Sequence, residues 1–181
     1  SLYQESGQVP NQKFIFTRMV STTITCVCLI PNTTKPTTIT FTNPATNGDN
    51  LPLLLAPLLN NRVEITPLLR FSESRPFAVY AYSDENSKIY DSPAPNHQAT
   101  AIAMICGLHA MKFYGPVYLG KVVRSPSLRN ASLTTSDVSF SPDLRAEFSD
   151  PSKTPEWMFE AARVNYSYAG SLSSIREVMS K

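Results

Sequence analysis

A chain of 181 residues, 17% of them charged and with a formal net charge of +2, can bury one sizeable core but lacks the Lys/Arg excess that holds proteins on phosphate backbones or anionic lipid. Its densest apolar run, Leu51 to Leu59, is broken by Pro52 and Pro57 and falls far short of the roughly 20 residues of a membrane-spanning helix. Composition thus argues against nucleic acid as a partner and against a membrane span, and leaves protein surfaces as the expected partners.

Residues 1–12 are polar, contain Gly7 and Pro10, and read as an extended N-terminal arm ahead of a single domain over 13–168. Phe14 to Val20, Thr22 to Ile30 and Thr37 to Thr42 have the β-branched, strand-length composition of a small sheet, with a turn over Pro31 to Pro36. Alternation puts Ile24, Cys26 and Cys28 on one face, and turns Ile39 and Phe41 inward. Three cysteines are an odd number for a disulfide framework, so reduced, partly buried thiols are expected. That fits an intracellular protein. Ser1 is not a start methionine, which keeps a processed N-terminus, and so a cytoplasmic or an organellar address, open. The sequons at Asn32, Asn130 and Asn165 are about as many as chance places in so Ser/Thr-rich a chain.

Leu51 to Leu59 predicts one or two short helical turns. Val63 to Phe71 and Pro76 to Ser83 predict strands, the second with an aliphatic face (Phe77, Val79, Ala81) and an aromatic one (Tyr80, Tyr82), followed by a turn at Asp84 to Ser87 and a hairpin partner over Lys88 to Tyr90. Asn96 caps a helix over 97–106, apolar nearly all round from Ala99 to Cys106 and stopped by Gly107. Val117 to Val123 returns as a strand. The Ser/Asp/Pro-containing stretch 124–152 holds one strand-like piece, Asp137 to Phe140. Thr154 and Pro155 open a helix with Trp157, Ala161 and Val164 on one stripe and Glu156, Glu160 and Arg163 on the wet face. A last helix within 169–181 places Leu172, Ile175, Val178 and Met179 together.

Cys106 with His109, or with His97, is the sharpest catalytic-looking combination, because a thiol needs a nearby base to become a nucleophilic thiolate. Gly107 lies between Cys106 and His109, however, and Cys106 sits in the most apolar stretch, so a buried structural thiol is the plainer reading. No zinc-finger spacing, nucleophile elbow, P-loop or dinucleotide fingerprint occurs, and neither metal nor cofactor is expected. Tyr80, Tyr82, Tyr114 and Tyr118 offer a possible cleft lining for a small ligand. Trp157 and Phe159, with Leu172, Ile175 and Met179, are the candidate anchors for a protein partner.

The pattern Asn96-x-x-Ala99-Thr100-x-x-Ala103-Met104-x-Cys106-Gly107-Leu108, then Tyr114-Gly115-x-Val117-x-Leu119-Gly120-Lys121, resembles an uncharacterised domain recurring in microalgal and protist proteins. Asp137 to Phe140 and Pro155 to Arg163 resemble its closing segments. Some members of that family carry a MYND-type zinc finger, absent here, and where members tend to have Gly-Asp this chain has Gly115-Pro116. The likeness implies an algal or protist source and no particular reaction.

The sequence thus predicts an α+β fold: a mixed, mainly antiparallel sheet from residues 13 to 90 and 117 to 123, one buried central helix and two C-terminal amphipathic helices. The function expected first is a non-enzymatic interaction or assembly subunit, with no catalytic residues. The alternatives are a small cysteine-dependent hydrolase or transferase using Cys106, and a small-ligand binder.

Overall fold

The computed structural model describes residues 22–42, 48–87, 93–124, 126–139, 142–143, 148–149 and 153–169. Its elements are β1 (Thr23–Leu29), β2 (Thr37–Thr42), α1 (Leu51–Leu55), β3 (Val63–Leu69), β4 (Phe77–Asp84), α2 (His97–Ile105), β5 (Val117–Val123), β6 (Arg129–Ala131), the two-residue pair β7 (Pro142–Asp143) and β8 (Phe148–Ser149), and α3 (Glu156–Ala169). The main sheet runs β2-β1-β5-β4-β3, with β6 also on β5, and the strands named in it pair antiparallel. With three helices beside it, the chain is α+β.

One edge of β5 serves two partners. Its first half pairs with Val27–Leu29 and its second half with Arg129–Ala131. β1 diverges where β6 enters, and the fork is closed by Thr25, whose N–H donates to Ser132 Oγ at 3.2 Å and whose carbonyl accepts from Leu133 N at 2.9 Å.

Because both sheet faces are covered, the period-2 pattern produces two cores. Val27, Leu29, Val79, Ala81, Val117 and Leu119 pack with Ala99, Ile102, Ala103 and Cys106 around α2, and with Met158 and Ala161 of α3. On the other face Ile24, Cys26, Cys28, Tyr82 and Tyr118 pack with Leu51 and Leu55 of α1 and with Leu59. Ile39 and Phe41 lie against this second core, as the alternation predicts. Two prolines do not prevent α1, because each opens a turn, Pro52 in the helix and Pro57 in the 3₁₀ turn Ala56–Leu58, where an N–H has no partner to lose.

Gly120 sets how closely α1 approaches the sheet. A Cβ there would lie 2.2 Å from Leu51 Cδ1 and 3.0 Å from Tyr82 Cε2.

The structure differs from the sequence reading in three places. The strand expected over Asp137 to Phe140 is not formed at its start: Thr135–Asp137 is a 3₁₀ turn whose capping box links Thr134 and Asp137, a local side-chain bond that outcompetes a ladder. The strands in this stretch are β6 and the short pair β7 and β8 instead. The expected envelope around α2 is also incomplete, since the helix buries Ala99, Ile102 and Ala103 but leaves Met104 46% exposed. Finally, the strand expected to Phe71 stops at Leu69, after a bulge between Pro67 and Leu69. The arm 1–12, the strand expected at Phe14 to Val20, the hairpin partner Lys88 to Tyr90 and the helix carrying Leu172, Ile175 and Met179 lie outside the described residues.

Candidate functional site

α2 is held at both ends by interactions made for position. At its start Asn96, 1% exposed, accepts from Ala99 N at 3.0 Å through Oδ1 and donates through Nδ2 to the carbonyls of Leu29 and Gly115, each at 2.8 Å. At its end Gly107 takes φ +85°. Gly107 N donates to Met104 O and Leu108 N to Ala103 O, the paired bonds of a Schellman motif. A Cβ on Gly107 would sit 3.2 Å from the Ala162 carbonyl oxygen and 3.2 Å from Asn165 Cβ, so α3 crosses against bare backbone.

This turn forms one wall of a cleft of about 910 Å³, lined by Pro67, Arg70, Gly107, Leu108, His109, Ala110, Met111 and Asn165. Asn165 is structural: its Nδ2 donates to Leu68 O at 2.9 Å and to Cys106 O at 2.6 Å, tying α3 to both β3 and the α2 terminus. Arg70 and His109 are exposed beside an otherwise mainly apolar lining. Among the described residues its lining includes no carboxylate or thiol.

The Cys106 thiol is fully buried in the core under α2, and burial pushes its ionisation well above the ordinary thiol range. A nucleophilic thiolate needs the opposite shift. His109 is exposed on the far side of Gly107. His97 occupies the first position of α2 and is exposed, nine residues before Cys106, or about 13 Å along the helix axis. Cys106 and His97 are thus held apart by the length of α2, and the thiol is buried where both histidines are exposed.

The tyrosines divide as well. Tyr82 and Tyr118 are buried under α1 with Tyr80 packed against them, while Tyr114 bridges to Pro95. Tyr82 OH donates to Asp49 Oδ2 at 2.8 Å, and Asp49 Oδ1 accepts from Asn130 Nδ2 at 2.8 Å and from Leu51 N at 3.2 Å. Burial, then the Asp49 carboxylate, drives Tyr82 ionisation up. Nearby, burial and the neighbouring Cys28 push the Cys26 thiol up to about 12. These are neutral acids held in a core. Asn130 and Asn165 register in the sequence only as sequons, and in the fold the amide nitrogens that a glycan would need are both engaged.

Trp157 points inward, its Nε1 donating to Asp137 O at 2.6 Å while the ring packs on the core. Phe159, two residues on, is 40% exposed. Beside it Glu160 Oε1 accepts from the buried Arg75 Nη1 at 2.5 Å, an ion pair with no signal in sequence because its partners are 85 residues apart. Leu172, Ile175 and Met179 lie outside the described residues.

Among the described residues no group of three or more His, Cys, Asp or Glu side chains could hold a metal ion, and no helix is long and apolar enough to cross a membrane. Comparison of the chain with protein families, with curated proteins and with solved structures finds no match.

Proposed function

We propose that this chain is a non-enzymatic interaction subunit that takes its place in a larger assembly through strand pairing and exposed apolar side chains. The observation that carries this reading is the contrast between the two edges of the main sheet. Natural proteins close sheet edges with proline, bulges, charge or covering elements, because an open row of N–H and C=O groups templates pairing with another chain.

β3, at one edge, uses several of these devices. Pro67 supplies no donor, a bulge lies between Pro67 and Leu69, and α3 packs alongside with Asn165 taking the Leu68 carbonyl. β2, the other edge among the described residues, is six residues of Thr, Ile and Phe in continuous register with β1, with no charge, proline, glycine or bulge. Elsewhere, Phe159 on α3 and Leu53 on α1, the latter 79% exposed, are further apolar side chains open to a protein partner. The sequestered Cys106 supports the same reading over a thiol enzyme. The stripe Leu172, Ile175 and Met179 belongs to this proposal on sequence grounds, as do an intracellular setting, protein rather than nucleic acid as the partner, and the likeness to the algal and protist domain.

Native isolation of the chain from its source, with the mass of the particle measured, tests the reading. A discrete particle larger than the 20.0 kDa chain is expected. A free 20.0 kDa monomer together with rapid labelling of Cys106 in the folded state would replace it with the thiol-enzyme alternative.

A further inference from the structure

We infer that β2 is a self-pairing edge: two copies of the chain join antiparallel through Thr38, Thr40 and Thr42 and continue their sheets into one. This names the partner within the interaction-subunit reading and rests on it.

The direction of the β2 backbone follows from β1. Both polar groups of Thr25 are spent on the side away from β2, its N–H on Ser132 Oγ and its carbonyl on Leu133 N. Thr25 is opposite Thr40 in the register, so this is a non-hydrogen-bonded pair. Antiparallel ladders alternate such pairs with hydrogen-bonded ones. Thr38 opposite Val27 and Thr42 opposite Thr23 therefore share the pattern of Thr40. Each of the three turns its N–H and C=O to the open side of the sheet, and among the described residues nothing pairs with that side.

The sequence of β2 is complementary to itself about a two-fold axis at Thr40. With Thr40 facing Thr40 of the partner subunit, Thr38 faces Thr42 of the partner subunit and Thr42 faces Thr38 of the partner subunit. All three are hydrogen-bonded pairs, because every member presents both groups outward. Between them Ile39 faces Phe41 of the partner subunit in the closer, non-hydrogen-bonded geometry, a favourable β-branched–aromatic pair. Ile39 and Phe41 are half-buried against the α1-side core, so pairing extends an apolar layer already present. No charge lies anywhere in β2, so self-pairing sets no like charges against each other, the usual device against it.

Light scattering on size-fractionated full-length chain, at several concentrations, tests this. The expected wild-type mass is 40 kDa, twice the 20.0 kDa chain. Two variants target the edge, each at the cost of the exposed Thr25 Oγ1–Thr40 Oγ1 hydrogen bond of 2.9 Å. Thr40→Pro removes an outward N–H that has no partner among the described residues, a position where an edge strand tolerates proline. Thr40→Lys keeps the backbone and sets two lysines opposite each other at the axis. Both are expected to be monomers, with the far-ultraviolet circular dichroism and melting temperature of dilute wild type. If Thr40→Pro fails to fold, Thr40→Lys decides. A wild type that stays at 20.0 kDa at every concentration overturns self-pairing, whether the Thr38, Thr40 and Thr42 amides exchange freely or are protected by another segment of the same chain. A dimer that survives in Thr40→Lys overturns it too. A monomeric chain that still occurs in a larger native particle with a different protein would overturn self-pairing while leaving the interaction-subunit reading intact.

Discussion

Asn96 uses both its side-chain polar ends and its backbone: besides the three side-chain bonds, its N–H donates to Phe113 O at 2.9 Å and its carbonyl accepts from Thr100 N at 3.0 Å. It joins β1, the start of α2 and the loop before β5 at one buried point. Asn96→Asp keeps the cap acceptor but removes both amide donors and buries a charge, so a loss of about 3 kcal/mol is expected, read from urea unfolding midpoints. Gly120→Ala is predicted to cost about 1–3 kcal/mol, since its new methyl must displace Leu51 and with it α1. Gly107 carries a different constraint, a left-handed backbone as well as a crowded one. For Cys106, a thiol-specific reagent in native buffer is expected to react only as fast as the protein unfolds, and full denaturation should release the labelling. Immediate reaction in the native state would return Cys106 to the list of catalytic residues.

At the scale of elements, α3 is tied to the rest of the fold by three polar side chains: Trp157 to Asp137, Asn165 to Leu68 of β3 and to Cys106 at the end of α2, and Glu160 to Arg75 between β3 and β4. Trp157→Phe keeps most of the apolar ring and removes the indole donor, leaving the Asp137 carbonyl without it. A loss of about 1–2 kcal/mol in chemical unfolding is expected, with no change in the mass of the native particle. Phe159→Ala should do the reverse, within about 0.5 kcal/mol of wild type in stability because the ring is partly in water, and weakening association if α3 meets a partner. Arg75 and Glu160 form a partly buried pair whose net contribution is small, since desolvation offsets attraction, but truncating Glu160 alone strands a buried guanidinium.

Considered as a whole, the molecule holds Cys26, Cys106 and Tyr82 as protonated, weakened acids inside two cores, and this fixes how stability follows pH. Each has its folded ionisation raised by burial above the ordinary thiol value of 9.0 or phenol value of 10.0. The stabilisation is therefore fully present below pH 9.0 and is lost as pH rises toward the folded values, because the unfolded chain ionises first. Stability should be insensitive to these groups near neutrality and fall by on the order of 1 kcal/mol per pH unit for each ionising group in the alkaline range. Cys26→Ala should make the alkaline fall shallower in melts recorded from neutral to alkaline pH. An unchanged slope would show that Cys26 ionises freely in the folded state.

Much of this architecture is legible within short windows of sequence. Strand alternation around Cys26 and Phe41, the Asn96 cap and the Gly107 stop act over a few residues and appear in the fold, and α3 begins directly after Thr154-Pro155. What sequence does not disclose depends on distant partners. Asp49 and Asn130 meet across 81 residues, and Asn165 and Cys106 across 59. β6 forms because β1 leaves β5, which no property of Arg129–Ala131 announces. The same holds for the edge: Thr37–Thr42 has the pattern of any half-buried strand, and only its place in the sheet leaves one side open among the described residues. The candidate catalytic residues, by contrast, are legible only as residue types, and the fold buries Cys106 while leaving His97, at the other end of α2, and His109 exposed.

The open edge of β2 is the centre of the account, and amide hydrogen exchange resolved at Thr38, Thr40 and Thr42 in the native particle tests it most directly. Slow exchange at these three amides in the particle, becoming fast when the chain is diluted to a monomer while Ile39 and Phe41 stay protected by β1, is the predicted result. Exchange at open-chain rates for all three within the intact particle would contradict it.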